Sequence, residues 1–228
     1  MKILVIAAHP DDEVLGCGAT IAKHTQQGDE VHVLILAEGA TSRDARRNRT
    51  ERAADLSELA IAAQRARDLL KVSSLTLHDF PDNRMDSIAL LDVIKVIEHS
   101  INSFRPEIIY THHGGDLNID HRITHEAVVT ACRPLPDSPV QTLLFFEIPS
   151  STEWATSGFG PAFTPNWYVD VADTLEHKIK ALKAYHREML PWPHPRSLEA
   201  VTHLARWRGA TVGMAAAEAF VTGRKLIR

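Results

Sequence analysis

Short apolar runs alternate along this chain with longer segments in which apolar residues recur every three or four positions. The first run, Lys2 to Ala8, carries no charge after Lys2 and suits a strand buried on both faces. A helical pattern spans Asp12 to Gln27, and Gly28 offers a left-handed stop after it. Val31 to Leu36 predicts a second strand, about Thr50 to Leu70 a helix, and Leu75 to Phe80 a third strand. Ser87 to Phe104 repeats Leu90, Leu91, Ile94, Val96, Ile97 and Ile101 at helical spacing. Glu107 to His112 reads as strand, Thr124 to Cys132 as helix and Thr142 to Ile148 as strand. This alternation predicts crossover units, and hence an α/β fold with a mostly parallel central sheet flanked by helices.

Beyond Ile148 the pattern loosens. Pro149 to Trp167 is rich in Ser, Pro, Gly and aromatics, a connection long enough to carry function. A short run, Trp167 to Val171, precedes helices at about Asp173 to Glu188 and Ser197 to Arg208. No repeat or linker divides the chain. The expectation is one domain over residues 1–228, with about 149–228 more irregular and facing substrate.

Composition narrows the partners. With 228 residues, 44% hydrophobic and 24% charged, the chain is an ordinary globular protein. Its net charge of -4 argues against wholesale phosphate neutralisation, so no nucleic acid is expected and small molecules are favoured. The apolar start is too short for a signal-peptide core or a membrane span, which predicts a cytoplasmic protein. Cys17 and Cys132 form neither a disulfide framework nor a four-cysteine zinc pattern. The 13 histidines direct attention to metals.

In open α/β sheets ligands bind outside the carboxyl ends of the strands. Three strand ends here are rich in polar groups: His9-Pro10-Asp11-Asp12-Glu13, Phe80-Pro81-Asp82-Asn83-Arg84, and Thr111 through His121. Each has a plain structural explanation. Acids favour the positive end of a helix, Asp82 follows Pro81 in a turn, and Asp120 would cap a helix. His9 resists, because an imidazole at a helix N-terminus is misplaced when protonated and needs a partner when neutral. A first-row divalent metal explains the set, with His9, Asp12 and His121 as ligands and an open position for water. Asp11, adjacent in sequence but free to point elsewhere at the turn, is the natural base.

The strand ending in Ala-His-Pro-Asp-Asp-Glu, the later Asp120-His121 pair, and Ala217-Glu218-Ala219-Phe220 resemble the zinc-dependent N-acetylglucosaminyl deacetylases, the PIG-L or LmbE-like family. The resemblance covers essentially the whole chain. It implies a Rossmann-like fold with the active site at the carboxyl ends of the strands, a Zn2+ cofactor or another first-row metal such as Fe2+, and a homo-oligomer. The implied reaction is hydrolysis of the N-acetyl group of an N-acetylglucosamine-type sugar, free or carried on a phosphate, nucleotide or lipid. Carried over by position, His9, Asp12 and His121 bind the metal, Asp11 is the general base, and Asp120 joins the catalytic set. Asp82 matches a substrate-binding aspartate; Arg84 and His113, on the same strand ends, are further candidate substrate contacts.

Two departures stand out. The family's frequent His-Pro-Asp-His reads Asn118-Ile119-Asp120-His121 here, and an Asn amide can donate to an oxyanion but cannot deliver a proton. Asn118 is kept as a catalytic candidate, and Asp11 becomes the expected acid, with His112, His113 or His194 as alternatives. The family's arginine in the helix before strand three falls on Leu59. Other readings are a sugar binder with weakened turnover, motivated by Asn118, and a two-His, one-carboxylate iron enzyme, which the α/β pattern disfavours. A dinucleotide site fails because Gly16-Cys17-Gly18 lies inside a helix and Ile21 replaces the third glycine. Arg43, Arg46, Arg47, Arg49 and Arg52 form either a solvated helix start or a phosphate grip. Glu147, after the apolar run, and the His194-Pro195-Arg196 turn are further candidates to face the cavity, although nothing local requires it.

Overall fold

Strand β1 (Lys2–Ala7) lies inside a seven-stranded sheet, with Ile3–Ala7 buried; the computed structural model describes residues 1–227. Helix α1 (Asp12–Gln26) leads to β2 (Glu30–Ala37), and α2 (Ala53–Leu69) to β3 (Ser74–Phe80), all parallel to β1. The chain then crosses back. Helix α3 (Leu90–Phe104) delivers β4 (Ile108–His112) to the other side of β1, and α4 (Ile119–Ala131) delivers β5 (Thr142–Phe146). After β6 (Trp167–Asp170), α5 (Leu175–Ala184) and α6 (Leu198–Ala210), β7 (Ala217–Lys225) inserts antiparallel between β5 and β6. Among the described residues the order is β3-β2-β1-β4-β5-β7-β6, so winding reverses between β1 and β4 and leaves a crevice at their carboxyl ends.

The period of two in a strand explains both cores. Ile3, Val5 and Ala7 pack with Val14, Ile21, Ala63, Ile179 and Leu182 on the face covered by α1, α2 and α5. Leu4 and Ile6 turn the other way, joining Val93, Ile97, Ala127 and Val128 beneath α3 and α4. Burial on both faces is why β1 reads as an unbroken apolar run.

The alternation and the parallel sheet agree with the sequence, and Gly28 (φ +83°) ends α1 as expected. Other details differ. The helix expected from Thr124 begins at Ile119, because Asn118 caps it: its Oδ1 accepts the Asp120 N–H at 2.8 Å. Asp120 and His121 therefore stand in a first helical turn, not in a loop. The helix expected from Ser87 begins at Leu90, after a 3-10 turn at Met85–Ser87. Strand β7 was not anticipated; its antiparallel pairing with β5 and β6 is non-local and makes the C-terminal third more regular than its composition suggests. No helix among the described residues is long and apolar enough to cross a membrane.

The two faces of α3 can be told apart by measurement. Ile97→Ala, at a fully buried position, is expected to lower unfolding free energy by about 2 to 5 kcal/mol in urea denaturation. Leu91→Ala, 60% exposed on the same helix, is expected to change it by under about 0.5 kcal/mol.

Candidate metal centre

Asp12, in the first turn of α1, places its Oδ2 3.2 Å from His9 Nδ1 and 3.2 Å from His121 Nε2. Ligand atoms of these three residues all lie within 4.8 Å of one another, and all three side chains are buried. His9 sits on the turn after β1, and His121 arrives in the first turn of α4, so two strand ends meet. His112 also approaches Asp12 (3.6 Å), but its Nε2 accepts the Ala8 N–H at 2.8 Å and its ring stacks on His121 at 4.0 Å. Its lone pair is spent, so it braces the centre without being a ligand.

The far nitrogen of each facing imidazole meets a carboxylate. His9 Nε2 lies 3.0 Å from Asp120 Oδ2 and 3.3 Å from Asp82 Oδ1. His121 Nδ1 lies 3.0 Å from Asp116 Oδ1. Asp116 in turn accepts from the Ser151 hydroxyl, from Thr152 Oγ1 at 2.7 Å and from the Asn118 N–H at 2.8 Å. Such outer carboxylates fix the tautomer and rotation of metal-binding histidines.

The donor set fits a divalent cation. Asp12 Oδ1 is buried without a hydrogen-bond partner, and His121 Nε2, though near Asp12, has none with hydrogen-bond geometry. Against the cost of burial, Asp12 and Asp120 hold His9 well above the usual imidazole range, and Asp12 and Asp116 lift His121 to about 9. Also against burial, His121 and His9 hold Asp12 well below the carboxylate range. The surroundings thus favour positive charge at the point where two imidazoles and a carboxylate converge, the chemistry of a first-row metal site. His9, Asp82 and Asp120 form a second close group, but it is less free. Asp120 already accepts the N–H groups of Asn83 (2.6 Å) and Met85 (3.0 Å), and Asp82 those of Ser42 (2.9 Å) and the Asn83 amide (2.9 Å).

Beside this centre a cleft of about 220 Å³ is lined by His9, Asp11, Asp82, Asn83 and Asn118, together with Ala40, Arg43, Leu59, Glu188 and Arg196. Asp11 is 1% exposed, and neither of its oxygens is hydrogen-bonded. Arg196 Nη1 stands 3.2 Å from Asp11 Oδ2. Burial pushes the Asp11 carboxyl up to about 8, opposed by the Arg196 guanidinium, which poises it for proton exchange near neutrality. Its φ of 112° lies where non-glycine residues are strained, as do Ala40 (81°) and Asn83 (52°) beyond β2 and β3. Glu13 faces away: it accepts from the Tyr185 hydroxyl at 2.6 Å and the Asp11 N–H at 3.0 Å, holding the turn.

Asn118 lines the cleft, and its Nδ2 donates to Asn83 Oδ1 at 2.9 Å. Asp82 lines it too, whereas Asp120 is fully buried and reaches the cleft only through His9 and the Asn83 backbone. Arg84 and His113 are not among the lining residues. Arg84 donates to the Asp44 and Ala45 carbonyls at 3.0 Å each; His113 is buried, accepts the Gly115 N–H and packs against Phe163. His112 and His194 do not line it either. Of the clustered arginines, Arg47 and Arg49 pair with Glu38 and Arg52 with Asp44 and Asp55; Arg43 alone of the five reaches the cleft, where Glu188 holds it at 2.7 Å. Asp116 and Glu188 were not anticipated. Asp116 belongs to a strand end already conspicuous in the sequence, but Glu188 has no local signal.

A model of the PIG-L family, described as GlcNAc-PI de-N-acetylase, matches residues 4–132. The chain is 32% identical over 192 residues to the uncharacterized deacetylase YaiS of Escherichia coli K12, covering 80% of this chain and 89% of that one. It is 28% identical over 204 residues to a diacetylchitobiose deacetylase of Thermococcus kodakarensis, covering 82% and 70%. Among solved structures, GalB, the 4-carboxy-2-hydroxymuconate hydratase of Pseudomonas putida KT2440, superposes with a TM-score of 0.76 at 21% identity, covering 100% and 98%. At that identity the likeness shows the fold alone.

Asp116→Asn leaves the three converging side chains in place but removes the carboxylate behind His121. Zinc affinity by calorimetric titration is expected to fall about 10- to 100-fold; an unchanged affinity would leave Asp116 without a part in the centre.

Proposed function

Since this chain belongs to the PIG-L family, we propose that it removes the N-acetyl group from an N-acetylglucosamine-type amino sugar or its conjugate, with Zn2+ held by His9, Asp12 and His121. The observation that carries this reading is the buried Asp11 carboxyl group, hydrogen-bonded at neither oxygen and faced by Arg196, in the wall of a cleft beside a donor set with an orphaned Asp12 oxygen. A metal bound there would supply a Lewis acid that polarises the amide carbonyl and acidifies a water.

The chain's own residues do the rest. Asp11 takes a proton from the attacking water and returns it to the leaving amine, since no histidine outside the donor set lines the cleft. Arg196 keeps that carboxylate ionisable in a buried setting. One of the two Asn118 amide hydrogens is engaged by Asn83, which leaves the other for a developing oxyanion. Asp82, fixed by the Ser42 N–H and the Asn83 amide, accepts from sugar hydroxyls, while Pro10, Ala40 and Leu59 offer an apolar wall. Asp120 acts through His9 by orienting it. The reading includes a cytoplasmic protein and a homo-oligomer. Asn118 favours a second reading, a family member that binds the sugar and turns it over weakly.

An acetate-release screen of the zinc-loaded protein over free, phosphorylated, nucleotide-linked and oligomeric N-acetylhexosamines separates the two: turnover well above background supports the enzyme, and binding without release supports the binder. Asp11→Ala is expected to retain zinc stoichiometry while kcat falls about 100- to 10,000-fold. His121→Ala is expected to lose zinc and turnover together, and equal zinc loss in both variants would reverse the assignment of Asp11.

A further inference from the structure

Helix α1 is broken at Cys17, whose backbone (φ -149°, ψ 26°) is not helical. A break of this kind strands carbonyls before it and N–H groups after it. Two buried side chains from distant elements each meet part of one set. Lys178 of α5 donates to the Leu15 carbonyl at 2.7 Å. Glu218 of β7 accepts the N–H groups of Ala19 at 3.2 Å and Thr20 at 2.7 Å. The two close on each other at 2.6 Å. A cation at the carbonyl end of the first piece and an anion at the amide end of the second both match the helix dipoles.

The piece ahead of the break is barely more than one turn, and it carries Asp12 with Asp11 just before it. A segment that short does not hold itself by its own hydrogen bonds. Its flanking glycines let the neighbours close in: a Cβ on Gly16 would overlap the Phe146 ring, and one on Gly18 would stand 2.8 Å from Val14 Cγ1 and 3.3 Å from Lys178 Cγ. A buried ion pair is also a costly way to gain stability, since an apolar pair of similar volume avoids the desolvation.

We propose that Lys178 and Glu218 are positioning residues for the head of α1: their buried pair splices the two halves of the helix and sets where Asp11 and Asp12 stand. The inference rests on the metal-site reading for its functional weight, but the placement of the head can be measured without metal.

The test uses the full-length protein with Lys178→Met, and Glu218→Gln as the second variant in case the first does not fold. Ile97→Ala, in the opposite core, serves as a destabilised control, and Lys178→Arg as the conservative rescue. In the metal-free protein, amide exchange at Val14 and Leu15, which bond to the Asp11 carbonyl at 3.0 and 2.8 Å, is expected to accelerate in Lys178→Met but not selectively in Ile97→Ala. With Co2+ as probe, Lys178→Met is expected to bind about tenfold more weakly with a shifted visible spectrum, and Lys178→Arg to recover part of both. Wild-type exchange and Co2+ binding in Lys178→Met, or the same changes in Ile97→Ala at matched stability, would overturn the proposal. If the wild type binds no Co2+, the metal reading fails, and the exchange comparison still decides the role of the pair.

Discussion

Among the described residues seven carboxyl groups, Asp11, Asp12, Glu13, Glu38, Asp82, Asp116 and Asp120, are buried at one end of the sheet, and a folded chain tolerates that only when each is compensated. The surrounding loops supply the compensation. The segment after β3 gives backbone N–H groups to Asp120, the segment after β5 gives hydroxyls to Asp116, and Tyr185 and Arg196 come from the C-terminal third to Glu13 and Asp11. Two imidazoles complete the balance. The irregular connections of this fold are therefore tied to the charge at the rim and are not free linkers.

The order of strands and helices up to β5 was legible because buried strands and amphipathic helices leave local periodicities. Strand β7 was not, because its pairing depends on β5 and β6, far away in sequence. The same division holds at the site. His9, Asp11, Asp12 and His121 are readable from short motifs at strand ends, and the structure brings His9, Asp12 and His121 together with Asp11 beside them. Asp116 was within a conspicuous segment but could be distinguished only by what lies behind His121. Arg84 and His113 shared a strand end with true cleft residues yet turn to loop carbonyls and to Phe163, since neighbours in sequence at a turn diverge in space.

The cleft says something about recognition through what it lacks. Three of the five clustered arginines are consumed by Glu38, Asp44 and Asp55, and Arg43 is met by Glu188. Leu59 contributes an apolar wall where the family resemblance leads one to look for an arginine. Arg196 is divided between Asp11 and Glu188. The two cations lining the cleft, Arg43 and Arg196, thus already face carboxyl groups, and the rest of its polar lining is carboxyl, amide, imidazole and hydroxyl groups.

The backbone at Asp11 filters residues independently of the chemistry. At φ 112° few side chains sit without strain, and short ones such as Asp and Asn tolerate positive φ best. Asn118, at φ -69° and ψ 129°, is in ordinary extended backbone that almost any residue can adopt. The two positions are therefore constrained differently: Asp11 by its backbone, and Asn118 by its side chain, which caps α4 through the Asp120 N–H. It is at that cap that the chain departs from the family's usual motif.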